Sequence, residues 1–148
     1  MEILLIALAG VVISVVVGTV WYMPNTPTGK IHMRYIGFDT LTPEEQAQKI
    51  AEAKPGMPKI YGAQMALSLL TSFATVFIVY MSMTNGVTMS LALGFALFNW
   101  LCFMVPVVGG NILWGNVDRS IAWKKFFSDI AYHLTVVLLI ALLTTLFV

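Results

Sequence analysis

Four apolar stretches, each long enough to cross a bilayer, limit what this chain can fold into more than any other feature. A helix needs roughly 20 mainly apolar residues to span the hydrocarbon core. The stretches cover about 3–22, 61–83, 89–113 and 126–148. Composition points the same way. The chain is 59% hydrophobic and 10% charged, where soluble domains carry about 25% charged residues. So few charges could not cover the surface of a water-soluble fold, and the expected solvent is lipid. The pattern predicts an all-α four-transmembrane-helix bundle, residues 1–148 forming one transmembrane domain, with a short cytoplasmic helical insertion at 23–60 between helices 1 and 2. The first stretch reads as a retained span rather than a signal peptide. Glu2 stands where a basic leader would, and the chain runs on into "WYMPNTPTGK" with no small-residue cleavage site.

With four spans, the segments 23–60 and 114–125 lie on one side. Lys30, Arg34, Lys49, Lys54 and Lys59 fall in the first, and Arg119, Lys124 and Lys125 in the second. Together these are all 8 Lys and Arg residues. The positive-inside rule places both loops in the cytoplasm and both termini outside, in the inner membrane of a cell. Trp21, Tyr22, Trp114 and Trp123 fall at the same face, as an interfacial aromatic belt would. A net charge of +1 without a basic stripe gives no nucleic-acid surface. The single cysteine, Cys102, excludes an intrachain disulfide and sits in an apolar run.

Within the insertion, "LTPEEQAQKIAEAK" predicts a short helix with Thr42 as N-cap, Pro43 at the first position and Glu45 completing a capping box. "KPGMP" stops it. Ahead of it, "GKIHMRYIGF" mixes Lys30, His32 and Arg34 with apolar and aromatic residues, a pattern suited to the headgroup layer. Between the second and third spans, Asn85-Gly86 marks a tight turn.

Polar residues inside the spans are the candidates for function. Gly10, Ser14 and Gly18 share one face of the first span, where small residues let another helix approach. The second span carries Gln64 with Ser68, Thr71, Ser72 and Thr75 on one face. The third carries Asn99, Trp100, a kink expected at Pro106, then Gly109, Gly110 and Asn111. In the fourth, Asp129 and His133 stand one turn apart, roughly 6 and 12 Å beyond Lys125 at the helical rise. Lys125 or Lys124 can neutralise Asp129, while His133 needs partners for both ring nitrogens and Asp129 can accept from one. A relay, a ligand anchor and a polar clamp all fit this spacing. Asp129 and His133 offer only two ligands and His32 lies on another segment, so no metal site and no cofactor is read. Gly-rich phosphate loops, zinc-helix motifs and nucleophile elbows are absent from the sequence.

Three stretches carry a family resemblance: "GTVWYMPNTPTGKIHMRYIGF", "KPGMPKIYGAQ" and "NILWGNVDRSIAWKKFFSDIAYHL". In this order they resemble the bacterial integral membrane family catalogued as domain of unknown function 1761. The matching positions are Gly18, Trp21, Tyr22, Pro24, Gly29, Lys30 and Asn111. The chain departs from that pattern after Pro24, where "NTPTGK" replaces an apolar pair before Gly-Lys, and at His32, where an aromatic is expected. The resemblance implies a membrane fold and carries no biochemistry.

Three functional readings follow. The first is a small ligand-binding or transport module whose intramembrane site, near the cytoplasmic leaflet, is lined by Gln64, Asn99, Asn111, Asp129 and His133. The second is an accessory or scaffold subunit that docks a membrane-complex partner or a second copy of itself. The third, with least support, is a lipid- or quinone-modifying enzyme using His133. The lipid bilayer is a partner in all three.

Overall fold

The computed structural model describes residues 2–148, whose regular secondary structure is all helical, with no strand among them. The helices are α1 (Glu2–Trp21), α2 (Pro27–Tyr35), α3 (Pro43–Ala53), α4 (Met57–Thr84), α5 (Met89–Asn99), α6 (Val105–Leu113) and α7 (Arg119–Thr145). A π-helical segment, Trp100–Met104, joins α5 to α6. Four helical stretches are long and apolar enough to cross a membrane: Glu2–Trp21, Met57–Thr84, Met89–Ile112 and Arg119–Thr145.

Local chemistry accounts for the boundaries. Thr42 and Glu45 form the full capping box: the Thr42 N–H donates to Glu45 Oε2 (2.8 Å) and the Glu45 N–H to Thr42 Oγ1 (3.3 Å). The bond from Thr42 holds the Glu45 carboxyl below the usual carboxylate range. At the other end of α4, Gly86 takes φ +81°. Its N–H reaches Met83 O and that of Val87 reaches Ser82 O, at 3.0 and 3.1 Å. That pair of bonds closes the helix in the left-handed turn glycine favours. Two helices run longer than the apolar stretches alone indicate. α4 starts at Met57 rather than Tyr61, with Pro58 in its first turn. α7 starts at Arg119 rather than Phe126, because Asp118 caps it by accepting from Ser120 N and Ile121 N. "GKIHMRYIGF" folds into most of α2, whose N-cap Thr26 accepts from the Gly29 N–H.

The third span passes through a π turn rather than breaking. Pro106 has no N–H to offer Cys102 O, and its ring would crowd that carbonyl. The preceding turn widens, and the Val105 N–H bonds Trp100 O instead. Trp100 then donates its indole N–H to Ile130 O of α7 (3.0 Å), tying the irregular turn to its neighbour.

α7 is the central helix. One third of its most apolar window is buried (33%), against 11–22% for the other three spans. Ile6 and Ala7 of α1, Val76 of α4, and Val136 and Ile140 of α7 form one core layer. Val79, Ala92, Ala96, Val137 and Ala141 form a second, joining α4, α5 and α7. Ile112, Ala122 and Phe126 form a third, with Tyr35 packed on it. Hydrocarbon gives apolar side chains little reason to prefer each other over lipid, so close packing and interhelical hydrogen bonds hold such a bundle. Gly10 shows both. A Cβ there would stand 1.9 Å from Ser72 Oγ, and Ser72 Oγ donates across to Ala7 O at 2.8 Å. Other hydroxyls bond their own helix one turn back, as Thr75 does to Thr71 O and Thr144 to Ile140 O, a cheap way to carry a hydroxyl in lipid.

A candidate intramembrane polar site

The residues of α7 nearest its basic end anchor α1. Lys125 is only 6% exposed although it is charged. Its ammonium is paired with the Asp129 carboxylate one turn along. Asp129 also accepts from the Tyr22 hydroxyl at 2.8 Å. The Lys125 ammonium lies 5.1 Å from the centre of the Tyr22 ring and 5.7 Å from that of Tyr35, inside the range of a cation–π attraction. One residue before Tyr22, the Trp21 indole N–H donates to Ser128 Oγ at 3.2 Å. Tyr132 donates to Ser14 O at 3.0 Å, and a Cβ on Gly18 would come within 3.2 Å of its hydroxyl. The face bearing Gly10, Ser14 and Gly18 is thus occupied within the chain, by Ser72, Ile140 and Tyr132.

The aromatic belt divides accordingly. Trp114 is 91% exposed and Trp123 is exposed, whereas Trp21 and Tyr22 are half-buried and bonded to α7. The turn after Pro24 has its own logic. The hydroxyls of Thr26 and Thr28 both donate to Trp21 O, capping the end of α1. A Cβ on Gly29 would sit 1.8 Å from Met23 O, so only glycine fits. The "NTPTGK" variant therefore supplies the capping hydroxyls, and Lys30 follows on the exposed side of α2.

Deeper in, Gln64 of α4, Asn111 of α6 and His133 of α7 line one cavity of about 480 Å³, with Ser14 and Thr71 nearby. A neighbouring cavity of about 630 Å³ shares Gln64, Ser68, Tyr132 and His133 with it and extends to Tyr22, His32 and Lys125. The two form one groove along α7. Asp129 and Asn99 do not line either cavity. The Asp129–His133 bond offered by their spacing does not form. Asp129 is taken by Lys125 and Tyr22, and the His133 ring instead packs edge-on to Tyr132, 4.9 Å between centres. A cation one turn back is a stronger partner for a buried carboxylate than a neutral imidazole. Among the described residues, no three His, Cys, Asp or Glu side chains gather as metal ligands.

His32 closes the outer end of the groove, its ring 5.2 Å from that of Tyr22. Its Nδ1 is buried without a hydrogen-bond partner. Burial lowers the His32 pKa below its ordinary 6.5, Lys125 lowers it further, and Asp129 partly opposes them. Between the folded value and 6.5 the unfolded chain binds more protons, so the docking of α2 is strongest above pH 6.5 and is lost as pH falls through the folded value. The protection factors of the α2 amides, corrected for the slower intrinsic exchange in acid, are expected to fall on acidification below 6.5. His32→Phe, which keeps a ring against Tyr22 and removes the titrating group, is expected to abolish that dependence. An α2 whose protection ignores pH in the parent protein would refute this.

The fold and site define a class: a helical membrane protein with a buried ion pair beside a polar groove. Within that class, the chain belongs to the family described as protein of unknown function (DUF1761), which matches residues 5–145. No curated protein and no solved structure matches it.

Proposed function

We propose that the protein is a small intramembrane binding or transport module that holds an amphipathic small molecule in the groove along α7. The observation that carries this reading is the meeting of Gln64, Asn111 and His133, from three different helices, on one cavity. Amides and imidazoles facing hydrocarbon are costly, and polar groups inside membranes concentrate where they meet one another or a ligand. A cavity of about 480 Å³ falls within the size range of small-molecule sites. Gln64, Asn111 and His133 supply donors and acceptors for a polar end, while Phe103, Met104 and Val107 line the apolar part. By the positive-inside rule the Lys125 end of the groove faces the cytoplasm and both termini lie outside. The resemblance to a bacterial family suggests an inner membrane.

Native mass spectrometry of protein released from nanodiscs tests the reading. A reproducible small-molecule mass on the wild type, lost in His133→Ala and in Gln64→Ala, is expected. A protein that carries only bulk lipid, unchanged by either substitution, would refute it.

One observation favours the accessory-subunit reading: none of the residues of α3 is buried, which leaves that helix free to meet a partner. A stable heavier complex in the same spectra, lost on deletion of α3, would support it. Among the described residues, the enzyme reading has no group of three metal-ligating side chains to build on.

A further inference from the structure

A separate recess lies between α2 and the start of α7. It encloses about 280 Å³ and is lined by Pro27, Lys30, Ile31, Arg34, Ile121 and Lys124. Three cations from two helices therefore share one opening with three apolar residues. Arg34 reaches Asp39 at 3.5 Å. Among the described residues, Lys30 and Lys124 have no acidic partner. Like charges held together at one opening repel, and an anion between them would relieve the repulsion.

We infer that this recess seats the phosphate of one anionic phospholipid. Lys30 contacts it from α2 and Lys124 from α7, and the acyl portion leaves over Ile31 and Ile121. The apolar half of the lining favours a lipid over a free anion, since a soluble phosphate gains nothing from isoleucine and proline. Position favours it too. Lys124 stands beside the exposed Trp123, in the kind of aromatic layer that marks the headgroup region. Basic pockets between membrane helices at that level are a recurrent way of holding anionic headgroups. Arg34, shared with Asp39, contributes less than the two lysines. This seat is independent of the Gln64–His133 cavity and stands or falls separately.

The test is native mass spectrometry of the full chain from nanodiscs containing phosphatidylglycerol and phosphatidylcholine in equal amounts. The wild type is expected to retain one phosphatidylglycerol in preference to phosphatidylcholine. Lys30→Gln with Lys124→Gln should weaken that preference about 25-fold, at about fivefold per charge near a membrane surface. Both lysines are exposed, so the thermal midpoint of the double variant should match that of the wild type. Lys54→Gln with Lys59→Gln, which removes the same charge away from the recess, should leave the preference unchanged. Equal retention of the two lipids by the wild type would overturn the inference, as would an equal loss in the two double variants. Retention of inorganic phosphate by the wild type, with no phosphatidylglycerol held, would also overturn it and assign a soluble-anion site instead.

Discussion

Lys125→Met is expected to destabilise the protein by about 3–5 kcal/mol, the cost of leaving one member of a buried ion pair without its partner. The Lys125 and Asp129 side chains are 8% and 15% exposed, so solvent does little to screen the loss. What remains in the variant is a carboxylate held by the Tyr22 hydroxyl alone. Adding Asp129→Asn should recover most of the stability, because a neutral amide oxygen still accepts from Tyr22 and no charge is left unpaired. Thermal unfolding in mild detergent distinguishes the cases. A Lys125→Met midpoint equal to that of the wild type, or a double variant worse than the single, would show that the pair is not the internal contact described.

Gly10→Leu is expected to be the next most damaging change. A Cβ at position 10 falls 1.9 Å from Ser72 Oγ and 3.1 Å from Ile140 Cδ1. Ser72 cannot turn aside without losing its bond to Ala7 O. Overpacking a tight contact costs about 1–3 kcal/mol and sometimes more, and the three added carbons beyond Cβ place leucine at the upper end. Gly94 provides the contrast. It is also helical, yet a Cβ there meets nothing within 4 Å. Gly94→Leu should leave stability unchanged or raise it by up to about 1 kcal/mol through helix propensity. Equal midpoints for the two leucine variants would mean that α1 does not pack on α4 and α7 as described.

Much of the architecture could be read from residues because its causes are local. The four spanning helices, the Asn85-Gly86 turn and the Thr42–Glu45 box follow from hydrophobic run length, glycine's access to positive φ and a side chain three positions away. The site was less legible because its causes are tertiary. Asp129 and His133 share a helical face, but so do Lys125 and Asp129, and sequence alone does not rank the two pairings. Tyr22, more than 100 residues earlier, settles the matter by adding a second donor to the carboxylate. Trp21 and Tyr22 read as belt residues, and nothing in the sequence signals that they also bond Ser128 and Asp129. Asn99 and Asn111 are also separated by the π turn at Trp100–Met104, which shifts the helical phase so that a uniform period misplaces one relative to the other. Only Asn111 lines the cavity with Gln64 and His133.

Whether water and ligands reach a polar cavity among α4, α6 and α7 is tested most directly by thiol modification in proteoliposomes. Cys102, the single free cysteine, is first replaced by alanine, and cysteines are then placed singly at His133 and Leu139. Both positions lie on α7, but His133 lines the cavity and Leu139 is exposed on the bundle surface. The reactive species is the thiolate, which forms only where water can stabilise it. A charged, membrane-impermeant methanethiosulfonate is predicted to label His133→Cys many times faster than Leu139→Cys. Equal rates, or no labelling at position 133, would contradict the cavity and the binding function built on it.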